Sequence, residues 1–296
     1  MTLISRLPTE LYDLIKSFLP FPDQLNFFYC RRRKFGSRLV EGKRQVFQAF
    51  CRAIEKNKAN VVEHLLRFYP PVGAYANNNC AIIRASDIGH AEIVEILLAD
   101  SRIDPSAIDN SALEWASKNG HVRVVKMLLA DPRVNPAAFD NVAVRSASTN
   151  GHVAVVKTLL ADSRIDPSAI ENSAIAWASR NGHVEVVKIL LADSRVDPSP
   201  VDNYAIRIAS ENGHVEVVEI LLADSRVNPA DSDNYAIRKA SGNGHVEAVK
   251  VLLADGRVDP SANDNSALVD ASKNGHEEVV MILLGFFFIR SWLLTA

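Results

Sequence analysis

A Gly-His dipeptide recurs seven times in this sequence at a constant interval; Gly89, Gly120 and Gly151 begin the first three copies, and Gly275 begins the last. One unit, residues 182–212, reads GHVEVVKILLADSRVDPSPVDNYAIRIASEN. Six full units run from residue 89 to residue 274. A partial unit follows them, and a degenerate unit, KNKANVVEHLL at residues 56–66, precedes them. A period of this length indicates an array in which each unit buries its apolar face on the next one.

The pattern within each unit predicts two short helices. Asp202 and Asn203 offer side-chain oxygens for capping a first helix, YAIRIASE. The Asn-Gly pair that follows ends this helix, because glycine tolerates the left-handed backbone found there. The second helix, HVEVVEILLAD, has apolar residues at helical spacing, namely Val215, Val218, Leu221 and Leu222. Neither helix is long enough to be stable alone, so we predict an all-α solenoid of stacked helix pairs.

The unit resembles the ankyrin repeat. From its second helix onward, GHVEVVKILLADSRVDPS follows the ankyrin pattern GHxEVVKLLLxxGADVN over about 230 of the 296 residues. The unit is shorter than the usual ankyrin repeat of about 33 residues. YAIR at 204–207 replaces the usual Thr-Pro-Leu-His. The resemblance implies an ankyrin-type solenoid over residues 43–284, with about eight units and with short or absent β-hairpins.

Comparison between the units separates two faces of the first helix. The positions that barely change are those of Ala112, Leu113, Ala116 and Ser117, and we expect them to pack. The positions that vary are those of Ser111, Glu114, Trp115 and Lys118, whose spacing of i, i+3, i+4 and i+7 places them on one helical face. The variable face should point away from the stack.

This variable face is where we expect a target protein to bind. Trp, Tyr and Arg are enriched in binding hot spots, and the ankyrin resemblance implies a partner surface on the first helices and loop tips. The loop position upstream reads Ile108, Phe139, Ile170, Val201, Ser232 and Asn263 in successive units. The candidate target-binding residues are Trp115, Phe139, Arg145, Trp177, Tyr204, Arg207, Tyr235 and Arg238. The alternative is a solvated face that varies without function.

The N-terminal segment is a second module, residues 1–42. Residues 1–60 carry 12 Lys and Arg against 5 Asp and Glu, whereas the rest of the chain is acidic. LPTELYDLIKSFLPFPDQLNFFYCRRRKF, beginning at Leu7, resembles the F-box pattern LPxELxxxIxxFLxxxDLxxxxxVCRRW. That resemblance implies docking on the Skp-type adaptor of a cullin–RING ubiquitin ligase. The apolar contacts would come from Leu7, Pro8, Leu11, Ile15, Leu19 and Leu25. The alternative is a helical cap on the first repeat.

No catalytic or metal-binding constellation emerges from the sequence. Histidines placed once per repeat cannot converge on one zinc ion, so we expect them to cap their helices locally. GxxxxGK[ST], GxGxxG and HExxH motifs are absent. We therefore predict no enzyme, no cofactor and no metal. We interpret the basic run Arg31–Lys34 as a solvated helix end, or as a contact with the acidic repeat array, rather than as a nucleic-acid site.

The remaining expectations concern environment. Three cysteines and a start without a signal-type apolar region favour a reducing intracellular compartment, the cytoplasm or the nucleus. Residues 285–296 form a hydrophobic tail, which we interpret as closing the last repeat; weak membrane contact and a truncated repeat are the alternatives. The apolar stretch is short for a spanning helix. We predict a monomer without membrane partners.

Overall fold

The computed structural model describes residues 41–68 and 79–295, and in those ranges the chain forms sixteen helices and no strand. The helices are α1 (Glu41–Glu55), α2 (Ala59–Phe68), α3 (Cys80–Asp87), α4 (Ala91–Ala99), α5 (Ala107–Lys118), α6 (Val122–Ala130), α7 (Ala138–Thr149), α8 (Val153–Leu160), α9 (Ala169–Arg180), α10 (Val184–Ala192), α11 (Pro200–Glu211), α12 (Val215–Leu222), α13 (Asp231–Gly242), α14 (Val246–Ala254), α15 (Ala262–Lys273) and α16 (Glu277–Thr295). The predicted all-α architecture is confirmed.

The helices stack in two layers within each of two units, Met1–Phe139 and Asp140–Ala296. In the described part of the first unit, α1, α3 and α5 contact in succession, as do α2, α4 and α6. In the second unit, α9, α11, α13 and α15 form one layer, and α8, α10, α12, α14 and α16 form the other. Each unit is therefore a solenoid of helix pairs.

The core lies between the two layers. In α12, Val217, Val218 and Leu221 are almost completely buried, and in α11 the small residues Ala205 and Ala209 are too. The predicted apolar face of α12 included its first and last residues, but both are only half-buried. The buried face is therefore centred on the middle of this short helix, where the neighbouring helices cover it from both sides.

The first helices from α5 to α15 open with a left-handed turn instead of a capping residue. Val201, Asp202 and Asn203 have φ values of 55°, 54° and 55°, so the right-handed helix of α11 begins at Tyr204. The buried Asn203 accepts, through Oδ1, a hydrogen bond of 2.7 Å from the backbone N–H of Asn228 in the next repeat. The predicted capping role is therefore wrong: this side chain joins repeats. The same bond recurs from the asparagines at 110, 141, 172 and 234.

The Gly-His pair also joins repeats. Gly182 has a φ of 72°, as expected for a glycine that ends a helix. His214, one repeat later, makes no capping bond; its Nε2 lies 2.8 Å from the carbonyl oxygen of Arg180. Because a carbonyl only accepts, Nε2 must carry the proton. The local capping predicted for these histidines is therefore incorrect, and the ring occupies space that only a glycine at 182 leaves open.

A third link comes from an Asp-x-Arg motif in the loops that follow the second helices from α4 to α14. Arg195 Nε and Nη2 donate to the Asp193 carboxylate at 2.9 and 2.6 Å, and Nη1 reaches back to the carbonyl oxygen of Ile165 at 2.8 Å. The guanidinium hydrogen bonds hold the pKa of the Asp193 carboxyl below its ordinary value. Equivalent aspartates, each with a lowered pKa, are Asp100, Asp131, Asp162, Asp224 and Asp255.

The last helix, α16, continues through Gly285, so the predicted tail is part of a helix rather than a separate element. Closure of the last repeat by the tail stays a prediction, because the buried residues Val279 and Leu283 precede it. The opposite side is exposed and apolar, with Met281, Leu284 and Phe288 at helical spacing. In the described ranges, none of the helices combines the length and the apolar content that crossing a bilayer demands.

Candidate protein-binding face

The left-handed turns carry the most exposed apolar residues near the first helices. Ile170 and Val201 stand at the start of their turns with φ values of 50° and 55°, and 51% of each residue is exposed. A β-branched residue in this backbone region is strained, and strain of this kind clusters at functional sites. Ile108 and Phe139 occupy the same turn position in the first unit, where Phe139 is 67% exposed.

Two of the five predicted aromatic residues meet at one groove. In the second unit, Trp177 and Tyr204 line a groove of about 250 Å³ together with the turn residues Ile170 and Val201. Pro198, from the loop between α10 and α11, and Pro200, the first residue of α11, also line it. Trp177 is 38% exposed, which is unusual for a ring of this size within a stack. The groove is an apolar recess bordered by two strained turns.

Cations already contact several of the aromatic rings. The Arg180 guanidinium lies 5.0 Å from the ring centre of Trp177, and the Lys118 ammonium lies 4.5 Å from that of Trp115. Tyr235 donates a 3.2 Å hydrogen bond to the Glu211 carboxylate, and burial together with this carboxylate raises the pKa of its hydroxyl. Trp115 is half-buried, belongs to the first unit and does not line the groove.

The three predicted arginines lie over turns of their own repeats. Arg145 Nε donates a 3.0 Å hydrogen bond to the carbonyl oxygen of Asp140. Arg238 Nε and Nη2 donate to the carbonyl oxygens of Asp233 and Ser232 at 2.9 and 3.1 Å. Arg207 makes longer bonds of the same kind, so each guanidinium is at least partly occupied in bracing a turn. These contacts were not foreseen from the sequence.

Sequence reasoning therefore identified one side of the groove and missed the other. It named Trp177 and Tyr204, but from the exposed loop position it named only Phe139 as a candidate. The signal for Ile170 and Val201 was the recurrence of an apolar residue at that loop position in four successive units. Tyr235, Arg145 and Arg238 do not line the groove.

Two further expectations concern adaptor binding and metal binding. The proposed adaptor-binding residues, from Leu7 to Leu25, lie outside the described residues. In the part of the chain that is described, no three histidine, cysteine or acidic side chains come close enough to hold a metal ion.

Comparison with known proteins finds matches among family models and among solved structures. A family model described as ankyrin repeats (3 copies) matches residues 50–140, 141–233 and 206–288. Among solved structures, the human ASB11 ankyrin repeat domain is similar at 20% sequence identity, with a TM-score of 0.48; the match covers 64% of this chain and 96% of that chain. A search of curated proteins finds no match.

Proposed function

The chain belongs to the ankyrin-repeat family, a family of protein–protein interaction scaffolds, and from this premise we propose that it holds a target protein at the groove between Ile170 and Tyr204. The observation that carries the proposal is the exposed Trp177 beside two strained apolar turn residues. A tryptophan in such a recess gains more from burial by a partner than most other side chains would.

Other features of the groove support binding rather than catalysis. Its lining is mainly apolar and aromatic, and ankyrin repeats form a binding fold rather than an enzyme family. Pro198 and Pro200 fix the backbone on one side of the recess. A surface that is rigid before binding loses less conformational entropy when a partner docks.

The test removes both aromatic walls. We expect Trp177→Ala with Tyr204→Ala to weaken capture of the target by about 2 kcal/mol or more, because aromatic anchors dominate such interfaces. Helicity should persist, since both rings are at least partly exposed. Phe288→Ala is the matched control, because it removes an exposed aromatic ring elsewhere in the same unit.

The measurement is the affinity of purified full chain for whichever protein it captures, after that protein has been identified and prepared alone. Retention of affinity in the double variant would overturn the proposal. Loss in Phe288→Ala instead would place the binding surface on α16.

We also propose that the bound target is delivered to a cullin–RING ubiquitin ligase. This half rests only on the F-box resemblance of residues 7–35. The chain would then act by proximity, since the ubiquitin chemistry belongs to other subunits. Without that link the array is a plain scaffold, and residues 1–42 cap it. Binding of a purified Skp-type adaptor separates the two.

A further inference from the structure

One position in the first helices is occupied by arginine in some repeats but not in the repeat that forms the groove. It lies six residues after the exposed turn residue, and in the second unit it is occupied by Arg145, Ala176, Arg207, Arg238 and Val269. Where arginine is present, it donates to carbonyl oxygens of its turn. Ala176 cannot do so, and it lines the groove described above.

Arg207 shows which groups surround a guanidinium at this position. Its Nη1 lies 3.3 and 3.4 Å from the carbonyl oxygens of Val201 and Asp202. The Asp202 carboxylate is 3.9 Å away, and the ring centre of Tyr235, in the next repeat, lies 4.4 Å from the guanidinium carbon. The site thus combines turn carbonyls, a carboxylate and an aromatic ring, all of which favour a planar cation.

The Ala176 repeat has the same parts without the cation. Ile170 and Glu171 adopt the turn conformation of Val201 and Asp202, with φ values of 50° and 51°. Glu171 supplies the carboxylate. Tyr204 follows Ala176 at the same sequence distance at which Tyr235 follows the arginine of the next repeat. No cation from the described residues lies over the ring of Tyr204.

The charge of the groove also favours a cation. The residues lining the groove include two carboxylates, those of Glu171 and Asp197, and no lysine or arginine. Asp197 is partly satisfied by Ser199, which donates to it from its backbone N–H and its hydroxyl at 2.9 and 2.8 Å. Arg180 lies over Trp177 but does not line the groove. Glu171 is exposed to a partner.

We propose that the groove binds an arginine side chain of the target protein, placed where the sister repeats hold their own arginine. This deepens the function proposed above and rests on it. The guanidinium would donate hydrogen bonds to the carbonyl oxygens of Ile170 and Glu171 and stack on the ring of Tyr204. Apolar residues next to this arginine in the target would pack on Trp177 and Val201. Lysine would fit less well, because a point-charge ammonium lacks the planar fork.

The direct test uses a short probe. The peptide acetyl-Leu-Arg-Leu-amide is titrated into the full chain, and binding is followed by NMR at the indole N–H of Trp177, assigned by its loss in Trp177→Phe. Replacing the probe's arginine with citrulline keeps the shape and removes the charge, so its affinity should fall at least about tenfold. Equal affinity for both peptides would overturn the proposal.

One variant asks whether the site is the empty arginine position. Ala176→Arg supplies the chain's own guanidinium, which three other repeats tolerate, so it should keep the thermal midpoint and abolish peptide binding. Wild-type peptide binding by Ala176→Arg would contradict the proposed arginine site.

Binding of the target protein by these variants distinguishes the proposed function from the proposed arginine site. If Trp177→Ala with Tyr204→Ala loses the target while Ala176→Arg keeps it, the groove binds the target but not through an arginine. If the aromatic double variant keeps the target, the proposed function fails regardless of what the peptide does.

Discussion

At the scale of the residue, a glycine that ends a first helix can serve two repeats at once. Gly182 adopts a positive φ for its own helix and leaves room for the ring of His214 in the next repeat. A Cβ atom at this position would lie 2.7 Å from His214 Nδ1. Gly275 has the same sign of φ but no atom within 4 Å of such a Cβ, and Gly256 has neither constraint. Substitutions at these three glycines therefore allow the cost of backbone strain to be measured separately from the cost of steric contact.

We predict a graded loss of stability when these three glycines are replaced by alanine. Gly256→Ala should change the free energy of unfolding by less than about 0.5 kcal/mol, as at most surface sites. Gly275→Ala should cost about 1 kcal/mol, for left-handed backbone alone. Gly182→Ala should cost more than Gly275→Ala, and Gly182→Val about 1–3 kcal/mol. Urea unfolding followed by circular dichroism measures each.

A double-mutant cycle isolates the contact. In a His214→Ala background, Gly182→Ala should cost no more than Gly275→Ala costs in the wild type, because the ring is gone. If the cost is the same with and without His214, the packing explanation is wrong.

At the scale of the element, the sequence predicted both helices of each repeat but not how the repeats are joined. Helical spacing and the Asn-Gly stop act over a few helical turns, so a single unit contains the necessary information. The bonds of Asn203, His214 and Arg195 reach backbone atoms 25 to 34 residues away. Local rules assign such side chains to caps, and only the stacking of one repeat on the next redirects them.

The Asp-x-Arg loops give an element-scale prediction for pH. The folded-state pKa of Asp193 is below about 3.8, the ordinary value for an aspartate carboxyl. The pair therefore stabilises the fold above that value, and its contribution disappears as pH falls through the lower folded pKa. Arg195→Gln should be destabilised at pH 7, and the gap to wild type should narrow below about pH 3.8. Thermal midpoints across pH 2–7 measure it.

Lys188→Gln is the control for this prediction. Lys188 pairs with Glu185 on the surface of a single helix, so its loss should matter less at neutral pH. A gap for Arg195→Gln that stays constant from pH 7 to pH 2 would show that the ion pair is not its source.

At the scale of the whole molecule, the repeats and the N-terminal segment should be separable. We predict that Leu11→Ala with Ile15→Ala abolishes binding of a purified Skp-type adaptor and leaves helicity and capture of the target intact. The reason is that these residues belong to the F-box-like pattern and not to the array. Surface plasmon resonance with immobilised adaptor measures the first effect. If the wild-type chain at micromolar concentration binds no adaptor, the ligase link should be dropped.

At the scale of the whole array, comparison between the repeats predicted only part of the candidate site. Variation between units located the stripe that bears Trp177 and Tyr204, because exposed positions change while packed ones do not. It could not distinguish an arginine that awaits a partner from one, such as Arg238, that braces its own turn. That distinction depends on the left-handed turn, whose three residues include β-branched types that intrinsic preferences place elsewhere.

The histidine bond between repeats has a consequence for how such a gene can change. His245 bonds the carbonyl oxygen of residue 211, and a backbone carbonyl is present whatever side chain stands there. If a recombination event removed residues 182–212 from the coding sequence, the same imidazole would meet the carbonyl of Arg180 at an unchanged separation along the chain. Unequal crossing-over can therefore shorten or lengthen the array by whole units without new compensating mutations at the junction.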